Sequence, residues 1–131
     1  MVLEIGNASH HNLFFGFSAN HKALFGHYGS KTTISVPNYS TPIARIHTGI
    51  LSSVDGRSFW LNGGDTADQT NVNGTHLIAL DDAAIARSGL SSAHFYGGDV
   101  AEIIIYTRAL KKEERQSVEN YLSEKYNIAI D

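Results

Sequence analysis

The apolar residues of this chain change period once, near residue 106, and that single change restricts the fold more than any other feature. Before it, short runs of aromatic and β-branched residues are broken by turn residues. After it, apolar residues recur at helical spacing. Asn12 to Ser18 (NLFFGFS) and Lys22 to Tyr28 (KALFGHY) are aromatic-rich, and Ser18-Ala19-Asn20-His21 between them suits a hairpin loop. Lys31 to Val36 (KTTISV) is β-branched and stops at Pro37. Ile43, Arg45 and His47 alternate with Ala44, Ile46, Thr48 and Ile50, the period of a half-buried strand. Val54-Asp55-Gly56-Arg57 carries an Asp-Gly hairpin signal. Ser58 to Asn62 follows, closed by Gly63-Gly64. Strand geometry puts Phe59 and Leu61 on one face and Trp60 on the other.

Asp65 to Gly74 (DTADQTNVNG) is polar and predicts a long loop. Two short strands are expected next, about His76 to Leu80 and Ala84 to Arg87, then a loop over Ser88 to Ser92. Asp99 to Tyr106 (DVAEIIIY) is the strongest strand signal, with Ala101, Ile103 and Ile105 expected toward the core. From Lys111 to Tyr126, Val118, Tyr121, Leu122 and Lys125 or Tyr126 recur as one helix face. The mixed-sign run Lys111-Lys112-Glu113-Glu114-Arg115 reads as a solvated face of that helix. The pattern predicts one domain over residues 1–131. Its class is all-β: an antiparallel sandwich or jelly roll, with one C-terminal α-helix outside a sheet.

Composition narrows the function classes. The formal net charge is −3 over 131 residues, and no basic stripe is present to collect phosphates, which argues against nucleic acid. With no cysteine, disulfides and thiolate metal sites are excluded. No stretch approaches the roughly 20 apolar residues that span a bilayer. Met1-Val2-Leu3-Glu4-Ile5 lacks the charged start and apolar run of a secretion signal. An exported parent would therefore carry its signal upstream.

Gly98-Asp99-Val100-Ala101-Glu102-Ile103-Ile104-Ile105-Tyr106-Thr107-Arg108-Ala109-Leu110 is distinctive. It is followed by Glu113-Glu114-Arg115-Gln116, Val118-Glu119, Tyr121-Leu122 and Lys125-Tyr126. This ending resembles that of the concanavalin A-like (laminin-G-like) domains of bacterial and phage surface proteins, and Phe59-Trp60-Leu61-Asn62-Gly63 is similar to their hairpin strand. The resemblance covers nearly all of the chain. It departs from the family at Lys111, where a capping Ser, Thr or Asp is usual, and lysine cannot accept from the free amides. It also predicts that the first strands of the family domain are lacking here. The resemblance implies carbohydrate recognition, on a module displayed outside the cell or on a virion as part of a larger or exported protein. It also implies that a second copy or a neighbouring domain could complete the sandwich.

Sugars are held by aromatic faces and by Asp, Asn and His side chains. The candidates are Trp60 with Asn62, Asn38 with Tyr39, and His94 with Tyr96. Trp60 ranks first, because a Trp facing away from Phe59 and Leu61 needs a partner. Its other reading places it under the helix or a loop. His94 and Tyr96 read first as a strand entrance packed on its neighbours, and only second as a sugar platform. Asp65, Asp68 and Asn71 are oxygen donors on one loop and are the candidates for a calcium site, without the spacing of an EF-hand. The seven histidines show no zinc spacing, and His27 with His47 reads as a cross-strand pair. Glu102 is the best acid on a strand. Ile104 and Tyr106 stand where a glycosidase would need its second carboxylate. No nucleophile elbow, phosphate loop or dinucleotide fingerprint is present. The chain is therefore expected to be non-catalytic and to require no cofactor, with calcium the one candidate ion.

Overall fold

A computed structural model describes residues 1–6, 12–18, 20–27, 30–38, 40–71, 83–87 and 94–131. Among them the chain forms eight short strands and one helix. The strands are β1 (Leu3–Ile5), β2 (Leu13–Phe17), β3 (Lys22–His27), β4 (Ser30–Ser35), β5 (His47–Ser52), β6 (Gly56–Leu61), β7 (Gln69–Asn71) and β8 (Ala83–Ile85), followed by α1 (Lys112–Tyr126). They make two antiparallel sheets. One has five strands in the order β4-β3-β2-β1-β8, the other three in the order β5-β6-β7. The expected strand near residues 76–80 and Tyr39 lie outside the described residues.

The β5–β6 hairpin follows from the local sequence. Between β5 and β6 the Ser52 hydroxyl accepts from the backbone N–H of Val54 and Asp55, and Gly56 takes φ +75° to close the turn. The register pairs Thr48 with Trp60 and Gly49 with Phe59. Period 2 then separates the faces as expected. Phe59 turns toward the five-stranded sheet, where its ring lies 5.7 Å from Phe15 and 5.8 Å from Phe25. Phe15 stacks on Phe25 at 4.7 Å. Ala23, Phe25, Ile34, Val36, Phe59 and Leu61 form the buried core. Gly49 sits across from this cluster because any Cβ there would run into the rings of Phe15 and Phe25.

Three expectations change. Residues 99–106 form no strand, although they carry the strongest strand signal. β-propensity measures fit against neighbouring strands, and no described strand pairs with this segment. Ala101 and Ile105 are exposed rather than core-facing. The polar stretch after Gly64 contains β7, whose Gln69 and Asn71 pair with Phe59 and Arg57. His27 and His47 lie on different sheets and do not face each other across one ladder.

Candidate functional site

The helix α1 lies over the outward face of β6, and its burial differs from the expected apolar stripe. Val118, Leu122 and Tyr126 are only half-buried, and Tyr121 is 46 % exposed. The fully buried positions are Arg115 and Glu119, each 2 % exposed. They form an i,i+4 ion pair, Arg115 Nη1 donating to Glu119 Oε2. Arg115 Nη2 also donates to the Gly64 carbonyl at 2.7 Å. Its guanidinium stands 4.3 Å above the Trp60 ring centroid, a cation–π contact. Trp60 is 8 % exposed and thus lies beneath the helix. Two buried polar atoms in this seam, Trp60 Nε1 and Glu119 Oε1, have no hydrogen-bond partner among the described residues.

The helix start has its own device. Lys111 offers no useful cap, but Glu114 reaches back and accepts from the Lys111 N–H at 2.9 Å. The same carboxylate takes a fork of hydrogen bonds from Arg108 at 2.7 and 2.6 Å. The Arg108 guanidinium, then the Lys111 amide, pull the Glu114 pKa down to about 2. At the far end Asn127 adopts φ +51°, the left-handed conformation that stops a helix. Glu102 accepts from Lys125 at 3.1 Å and Tyr126 at 3.0 Å. Lys125 foremost, with Tyr126 and Tyr121, lowers its pKa. It ties the 99–106 segment to the helix.

A cleft of about 220 Å³ opens between the outward face of the small sheet and the helix start. Ser58, Trp60, Asp55, Asp65, Lys112 and Arg115 are on its walls. Of the sequence candidates, this cleft gathers only Trp60 and Asp65. Asp65 accepts from Gln116 at 2.8 Å and pairs with Lys112 at 3.1 Å, contacts that lower its pKa, the Lys112 hydrogen bond first. Asp68 accepts from the Leu61 N–H at 2.7 Å, and Asn71 belongs to β7. The three candidate calcium donors therefore serve separate local contacts. Among the described residues no group of three His, Asp or Glu side chains could hold a metal ion.

The other candidates are dispersed. Asn62, at φ +60°, exchanges hydrogen bonds with the Ile46 backbone through its own N–H and its Oδ1, and its carbonyl accepts from the Asp131 N–H. Asn38, at φ +49°, sits in a turn where its carbonyl accepts from Thr41 and Arg45. The exposed His94 gives its carbonyl to the Met1 ammonium at 2.8 Å. Tyr96 stacks on Phe17 at 5.7 Å, the packed arrangement that was its alternative reading. Sequence reasoning missed Arg115, Glu119 and Lys112, because a charge run reads as solvated. The available signal was the i,i+4 spacing of Arg115 and Glu119 beside a Trp that faces away from the core.

No helix among the described residues is long and apolar enough to cross a membrane. Comparison with protein-family models, curated proteins and solved structures found no match to this chain.

Proposed function

We propose that this chain is a non-catalytic, surface-displayed module of the lectin-like jelly-roll type that works as an assembly subunit through protein–protein contacts. The supporting observation is the segment 99–106. It has the composition of a central strand, yet it joins no ladder among the described residues. Ile105 is 59 % exposed, Tyr106 48 % and Ile104 39 %, with Phe95 (68 %) close in sequence. An apolar run of this kind, held at one side by Glu102, suits the uptake of a neighbour's strand. Multi-angle light scattering over a range of concentrations tests this. A discrete oligomer that falls to monomer in Ile105→Lys is expected. A wild-type chain that stays monomeric at every concentration overturns the reading.

A second reading, carbohydrate recognition, is favoured by the cleft beside Trp60. Its hydroxyl, carboxylate and ammonium groups offer both donors and acceptors, and the indole Nε1 is unpartnered. With Arg115 over the indole, a sugar would meet polar groups and the ring edge rather than stack on that face. Binding on a glycan array that is lost in Asp55→Ala is expected. An array without binding removes this reading.

A further inference from the structure

Arg57 is a buried cation with no counter-charge among the described residues. It is 0 % exposed, on β6 next to Phe59 in the space between the two sheets. Among the described residues its two Nη atoms donate only to Ser30, Nη1 to the carbonyl at 2.5 Å and Nη2 to the hydroxyl at 2.6 Å. Its Nε is buried and unpartnered, and no carboxylate of the described residues forms an ion pair with it. Both acceptors are neutral. A guanidinium removed from water is ordinarily paired with an anion, since neutral partners recover only part of its hydration.

A second orphan lies on the same face. Thr32 is two residues beyond Ser30 on β4 and therefore points the same way, into the core. It is 5 % exposed, and its Oγ1 is also buried without a partner. Gly26 leaves the room this arrangement uses: a Cβ there would collide with the Arg57 Nη1 and with the β4 backbone. The location is a corner. β4 is the edge of the five-stranded sheet, Ser30 is its first residue and is only half-buried, and Arg57 is the second residue of β6.

We infer that the corner formed by Arg57, Ser30 and Thr32 is an oxyanion site, taking a small carboxylate or sulfate group against the free Nε–H and the Thr32 hydroxyl. The charge of the ligand supplies what the sheets lack, and its oxygens satisfy two donors that otherwise stay orphaned. The inference is independent of the assembly reading, which uses residues 99–106, and of the carbohydrate reading, which uses the outward face of β6.

The test is thermal unfolding of the whole chain in sodium formate and in sodium sulfate, against sodium chloride at matched ionic strength. A saturable upward shift in Tm with formate or sulfate is expected, absent in Arg57→Met and weakened in Thr32→Val. General salting effects do not saturate and act on all variants alike, so an equal, linear rise in wild type and Arg57→Met overturns the site. The planar and tetrahedral probes separate a carboxylate source from a sulfate-like one by which saturates at lower concentration. Should Arg57→Met not fold, the wild-type Arg57 Nε–Hε NMR resonance decides. A saturable movement with either anion supports the site, and a stationary resonance overturns it.

Discussion

Two seams hold this molecule together, and they are built from opposite chemistry. Between the sheets, Phe15, Phe25 and Phe59 pack ring to ring in a mostly apolar layer. Between the helix and the small sheet, the buried residues are an arginine, a glutamate and a tryptophan, with two polar atoms left unpartnered. The apolar seam is non-directional, and its strength scales with area removed from water. The charged seam depends on geometry. Its two ions lose hydration on burial, and each tolerates that loss only while the other is present. The first seam accounts for the stability of the fold. The second fixes one orientation of the helix over Trp60.

The comparison can be broken at three points. The largest effect is expected in the apolar seam. Phe59→Ala removes a side chain that is 0 % exposed and in contact with two other rings. It should cost about 3–5 kcal/mol in urea unfolding, a large part of the stability of a domain this size. A loss under about 1 kcal/mol would mean that the sheets do not meet as described.

The charged seam should show non-additivity. Glu119→Leu strands Arg115 in a buried site and should cost about 3 kcal/mol. Arg115→Met combined with Glu119→Leu should recover most of that loss, because a matched apolar pair carries no desolvation cost. A double-mutant cycle by chemical denaturation measures the coupling. Additive losses would show that the pair is not a unit.

The smallest effect concerns the edge of the apolar seam. His47 is set edge-on to Phe17 at 5.4 Å and lies 6.1 Å from Phe59. Burial first, and the charge of Arg45 second, lower its pKa from 6.5 to about 4. The folded state therefore favours the neutral ring. This contribution to stability is complete above pH 6.5 and is lost as the pH falls toward 4, where the folded form also takes the proton. Stability should therefore fall more steeply between pH 6.5 and pH 4 in wild type than in His47→Gln, as denaturant unfolding over that pH range measures. Parallel curves for the two proteins would remove the assignment.

Much of this architecture was legible in local pattern. Period 2 placed Phe59 and Leu61 opposite Trp60, the Asp55-Gly56 turn fixed the β5–β6 hairpin, and the helix runs close to its expected limits. Those features need only neighbours in sequence, so the chain states them directly. The sites were less legible. Asn38, Asn62, His94 and Tyr96 carry plausible ligand chemistry, yet each takes part in a separate turn, loop contact or ring stack.

The remainder depends on what stands beside a residue in space. Residues 99–106 have every local mark of a strand, but a strand exists only where another supplies its hydrogen bonds. Arg115, Glu119 and Arg57 look like surface charges in sequence, because burial is a property of the neighbours and not of the side chain. The sequence therefore carried the periods, turns and hairpin faces, which are local. Which charges were buried, which strand-like segment joined no ladder among the described residues, and where Trp60 found its cover were settled when distant segments came together.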